Sequence, residues 1–186
     1  MLKWILHKAV DGATKRFNYD AAYLHEILEA TTPGFLKFLL AQPLSRHDGG
    51  LPVAVHYAAR VVAVRAEDCG PCAQLVVEMA RQDGVPAPLL RAIVARDFAA
   101  LPAEVVEAMR FTDAVLAHAP ADALRAALVD RFGEHGLVAL AFAIAQTRTY
   151  PTIKRVLGHA QTCERLRVDG ELVDAARAPA GGYGVA

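Results

Sequence analysis

A helix without a polar face can only exist inside other structure, and this chain contains one. From Leu51 to Ala66 the sequence is apolar almost all round, with Val53, Val55, Ala58, Ala59, Val61, Val62 and Val64. The polar residues inside that stretch, His56, Tyr57 and Arg60, then need partners or a purpose, because an unpaired polar group is costly in an interior. The following residues, Glu67-Asp68-Cys69-Gly70-Pro71-Cys72, carry a CxxC behind two carboxylates.

The remaining chain reads as further helices around these two features. Residues 2 to about 16 put Leu2, Ile5, Leu6, Ala9 and Val10 on one face of an amphipathic helix. A second helix is expected from Asp20, an N-cap residue, to Thr31-Thr32-Pro33, and a short apolar one over Phe35 to Leu40. Gln42 to Pro52 reads as a loop. Cys72, Leu75, Val76, Met79 and Ala80 repeat at helical spacing, which puts Cys72 on a buried stripe until Asp83-Gly84 closes the helix. Helices are expected at about 87–96 and 102–117, from Pro120-Ala121 to a stop at Gly133, and from Gly136 to Tyr150. Pro151 must kink the last of these or restart it. Farther on, Asp169-Gly170 either turns a small hairpin or lies in a loop, and Ala178 to Ala186 reads as a mobile tail.

Composition agrees with an all-α chain rich in Ala, Val and Leu, with 54% hydrophobic residues and few aromatics. Lys+Arg and Asp+Glu are 20 each, so no sequence-wide basic bias attracts nucleic acid or anionic lipid. No uncharged run reaches membrane-spanning length, and the N-terminal apolar streak is too short for a signal peptide. The three cysteines do not form the pattern of a disulfide-stapled secreted domain, so a cytoplasmic location is expected. So much apolar residue in a chain without net charge points to self-association.

Three chemistries compete for the CxxC. Zinc needs four ligands, and this motif supplies two, with Cys163 and the histidines scattered elsewhere; no cofactor is implied. Thioredoxins use the same Cys-Gly-Pro-Cys letters, but on a strand-to-helix turn, whereas both flanks here are helical. The third is a dithiol at a helix N-terminus, with Asp68 as the cap and Pro71 tolerated in the first turn. Cys69 and Cys72 are then close enough to join. The helix terminus favours a thiolate, while Glu67 and Asp68 oppose it yet can accept its proton. Two inert buried thiols remain the plain alternative.

The run from about Leu51 to Gly158 resembles the alkylhydroperoxidase D-like branch of the carboxymuconolactone decarboxylase family. The likeness rests on the buried helix before the cysteines, the CxxC opening the next helix, and the exit Ala80-Arg81-Gln82-Asp83-Gly84-Val85. Leu124-Arg125-Ala126-Ala127-Leu128 and Leu137 to Gln146 are similar to that family's later helices, so the likeness covers over half the chain. It implies a compact helical core over 51–160 that assembles into homo-oligomers, a helical extension over 1–50, and a C-terminal extension with a tail over 161–186. It also implies peroxide or disulfide reduction, with Cys72 the nucleophile, Cys69 the resolving thiol, and an external thiol or dithiol as reductant.

Two departures bear on that chemistry. The family places a histidine four residues after the second cysteine, where this chain has Val76. It places a glutamate twelve residues before the first cysteine, where this chain has Tyr57 beside His56. Either His56, Tyr57 or Glu67 has taken over the proton relay, or the peroxidase step is lost. Glu67 is the nearest base to the thiols, and Arg148 and Tyr150 could line a pocket beside Pro151. Two other functions stay open: a lactone decarboxylase-like lyase, and a non-catalytic oligomeric domain.

Overall fold

The computed structural model describes residues 1–17, 19–161 and 165–175. Cys163 and the expected tail at 178–186 lie outside the described residues. Among the described residues the chain is all-α but for one two-stranded sheet. The helices are α1 (Leu2–Lys15), α2 (Ala22–Ala30), α3 (Thr32–Ala41), α4 (Val53–Ala66), α5 (Gly70–Gln82), α6 (Ala87–Ala95), α7 (Ala103–Leu116) and α8 (Asp122–Val156). The strands are β1 (Arg165–Val168) and β2 (Glu171–Asp174).

Helix α4 is the axis of the fold. Every residue from Val55 to Arg65 is buried, and α5, α6, α7 and α8 pack around it. Glu67-Asp68 turns the chain back into α5, with Asp68 in the left-handed region at φ 50°. Asp68 therefore does not cap α5: Cys69 holds the N-cap position in extended backbone, without a side-chain cap bond. Asp20 sits one residue outside its expected place, its carboxylate accepting from Ala22 N–H while Ala21 is the N-cap of α2.

Two expected breaks resolve differently. At Gly133 the backbone takes φ 69° and ψ 177°, a conformation that other residues essentially do not adopt, and α8 kinks there. At Pro151 the helix continues to Val156, and the Arg148 carbonyl accepts from the Thr152 hydroxyl at 2.8 Å. The stretch read as a loop from Gln42 begins with a short 3₁₀ turn, Gln42–Arg46, before it becomes irregular. Within it Gly49 runs so close to the His135 carbonyl that a Cβ could not fit.

The first helices form a second apolar cluster of Val10, Ala21, Tyr23, Leu24, Leu28 and Phe35, joined to the end of α8 through Ile153 and Leu157. At the other end, Asp169 and Gly170 both have positive φ, as a two-residue hairpin turn requires, and they join β1 to β2 in antiparallel register. Leu166 and Val168 point inward onto the core. An isolated hairpin of this size is marginal, and this one is docked on α5: Gln74 donates to the Arg167 carbonyl and accepts from the Arg167 N–H, each at 2.8 Å. Arg65 holds its far end by donating to the Ala175 carbonyl at 2.8 Å.

Candidate dithiol site and its neighbouring cavity

Cys69 and Cys72 are joined in a disulfide at the head of α5, with Cα atoms 5.2 Å apart. Both are buried, at 1% and 0% exposure, so neither sulfur is open to a reductant in this conformation. The start of this helix also meets distant sequence. The Gly70 N–H, left without an intrahelical acceptor at the helix start, donates to the Gln161 carbonyl at 2.7 Å. Gln161 thus lies against the start of the motif.

Glu67 is buried and turned toward α8. Its carboxylate accepts from Arg148 Nε at 2.5 Å, from Arg155 Nη1 at 3.3 Å and from the Thr152 hydroxyl at 3.3 Å. The carboxylate is therefore a tether between the α4–α5 turn and α8 rather than a solvated turn residue. Arg148, expected at a pocket, spends its guanidinium on this tether.

His56 and Tyr57 stand at the opposite end of α4, about 15 Å along the helix from its last residue. His56 Nε2–H donates to the Ser45 carbonyl at 2.9 Å, which leaves Nδ1 buried without a hydrogen-bond partner. Burial, with the nearby Arg60 charge, holds the imidazole below its usual pKa and so neutral. The Tyr57 hydroxyl donates to the Asp83 carboxylate at the end of α5, and burial pushes its pKa up to about 12. The structure thus brings together Cys69, Cys72 and the backbone of Glu67, but it separates His56 from them.

Tyr150 connects the motif to a cavity. Its hydroxyl lies 3.5 Å from the Cys72 carbonyl, a long hydrogen bond, and its ring lines a cavity of about 390 Å³ together with Tyr19, Tyr23, Leu75, Met79 and Arg60. Leu75 and Met79, expected on the buried stripe of α5, form its wall, while Val76, Val77 and Ala80 face the core. A second cleft of about 520 Å³ shares Arg60 and Arg46 with it and reaches His56, Tyr57 and Asp83.

Arg60, Lys154, Tyr19 and Tyr23 escaped sequence reasoning as site residues. Arg60 gave a signal, as a charge within an apolar helix. Lys154 gave little: it is 1% exposed with its ammonium over the Tyr19 and Tyr23 rings at 4.8 and 5.2 Å, a contact set by folding of distant segments. Among the described residues no group of three or more His, Cys, Asp or Glu could hold a metal ion, and no helix is long and apolar enough to cross a membrane. No protein-family model matches the chain, and no curated protein or solved structure matches it.

Proposed function

We propose that this protein is a thiol-dependent oxidoreductase that works through Cys69 and Cys72 and belongs with the alkylhydroperoxidase D-like proteins it resembles. The observation that carries this reading is the bonded cysteine pair at the first turn of a helix, where the positive end of the helix dipole favours a thiolate once the bond is open. In the reductive half, a reductant thiolate attacks one sulfur, the S–S bond breaks, and the other sulfur leaves as thiolate. A second reductant thiol then frees the mixed disulfide. In the oxidative half, the Cys72 thiolate attacks a peroxide oxygen, releasing an alcohol or water and becoming a sulfenic acid. The Cys69 thiol then attacks that sulfur, water leaves, and the disulfide is restored. Glu67, two residues before Cys69, is the carboxylate assigned to the Cys69 proton; His56 is too distant for direct transfer. The reductant is an external thiol or dithiol, and the compartment is the cytoplasm.

The protein works as a homo-oligomer. Val138, Ala141, Phe142 and Ala145 recur at helical spacing on the outer side of α8 and are all exposed, an apolar stripe suited to a second copy.

Mass spectrometry after alkylation tests the chemistry. Reduction exposes Cys69 and Cys72 to alkylation, and peroxide or a small disulfide then closes them again. In Cys69→Ser, peroxide leaves a trappable sulfenic acid on Cys72, and in Cys72→Ser turnover is lost. Thiols that stay free after oxidant treatment would overturn the reading. A second reading is favoured by the burial of both sulfurs: the bond is a staple in a non-catalytic domain. Closure of the pair without any turnover of oxidant would establish it.

A further inference from the structure

Arg60 is 2% exposed, among the largest fully buried side chains, and it sits in the middle of α4, where every residue from Val55 to Arg65 is buried. A guanidinium cannot lose its proton in a protein, so the charge has to be met where it stands. What meets it is little. Nε donates to the Thr147 hydroxyl at 3.3 Å and Nη2 points at the Met79 sulfur at 3.7 Å, a weak acceptor. The Tyr57 ring lies 4.8 Å away, a cation–π contact. Nη1 is buried without a hydrogen-bond partner, and no carboxylate forms a salt bridge with Arg60 among the described residues. An uncompensated buried charge of this kind is costly, and replacing it by an apolar side chain would be the easier way to build the core.

Arg60 also lines a space. Nη1 and Nη2 form the end of the guanidinium fork, and Arg60 lines the 390 Å³ cavity whose other walls are mostly aromatic and aliphatic, with Thr14, Gln42 and Ser45 among them. The Tyr19 hydroxyl is a second buried donor there without a hydrogen-bond partner. Small-molecule sites have this character: mostly apolar walls, a few fixed polar groups, and a volume of a few hundred Å³. The fork matches a carboxylate, which takes two parallel N–H bonds. At the rim, Arg46 adds positive charge from the 3₁₀ turn.

We propose that this cavity binds an amphipathic monocarboxylic acid, its carboxylate on the Arg60 guanidinium and its apolar body along Tyr19, Tyr23, Leu75, Met79 and Tyr150. The site stands apart from the redox reading, because it asks only for binding. It also lies next to the disulfide, since Tyr150 reaches the Cys72 carbonyl and Leu75 and Met79 follow Cys72 on α5.

Calorimetric titration of the oxidised full chain with octanoate and with octanol tests it without any turnover. Octanoate binds one-to-one, and octanol, of the same length without the charge, binds at least about tenfold more weakly. In Arg60→Met the difference between the two disappears while thermal stability is kept or raised, an outcome that a purely structural arginine does not produce. Leu75→Trp fills the cavity and removes binding of both, so the assignment can be checked even if Arg60→Met fails to fold. Equal affinity for octanoate and octanol, no binding of octanoate, or undiminished octanoate binding in Leu75→Trp would each overturn the proposal. Loss of peroxide turnover alone touches only the redox reading.

Discussion

Two residues of α4, four positions apart, illustrate how burial acts on charge in opposite ways. Arg60 cannot give up its proton and so keeps a charge that needs a partner. His56 can, and burial keeps it neutral. In the unfolded chain His56 titrates at the ordinary value of about 6.5, while the folded imidazole stays unprotonated to lower pH. Between these values the unfolded state binds more protons, so acidification favours unfolding. Urea denaturation will show stability falling as pH drops below about 6.5, with a shallower slope in His56→Gln. The sequence already marked both as polar intruders in an apolar helix. It did not show that His56 would bond the Ser45 carbonyl, because that contact depends on the 3₁₀ turn that replaced part of an expected loop.

At the scale of elements, two connections carry testable weight. The end of α6 is tied to α7 by a buried ion pair between Arg96 and Asp113, whose side chains are 9% and 2% exposed. Removing one partner strands the other in the interior, so Asp113→Ala should lower unfolding stability by about 3 kcal/mol or more in denaturant titration. The hairpin is tied to α5 by Gln74 through two backbone bonds. Gln74→Ala should destabilise that contact by about 1–2 kcal/mol, seen as faster amide exchange across Arg165–Val168 and faster reduction of the disulfide by dithiothreitol. Helix spans were largely readable from 3.6-residue spacing, and Asp169-Gly170 marked a possible turn. Asp68 was not readable: a carboxylate before a helix suggests a cap, but a tight return from α4 into α5 took the residue into the left-handed region instead. Gly133 was readable as a break, and Pro151 less so, since the helix passes through it.

For the whole molecule, an all-α chain built round one buried helix follows from Leu51 to Ala66 alone, since a helix without a polar face needs neighbours on every side. The cavity was hidden because its walls come from α1, α2, α3, the 3₁₀ turn, α4, α5 and α8, and no spacing within one segment reports such a meeting. The apolar stripe on α8 makes a prediction at this scale: Phe142→Glu places a charge where a second copy would pack, so sedimentation should show smaller particles than for the unaltered chain. The Gln161 carbonyl over Gly70 also sets an order of events during synthesis. The dithiol helix leaves the ribosome roughly ninety residues before Gln161 does, and chains emerge at about 5–20 residues per second. For those seconds Cys69 and Cys72 are within reach of the cell's thiol chemistry before the Gly70–Gln161 bond can form.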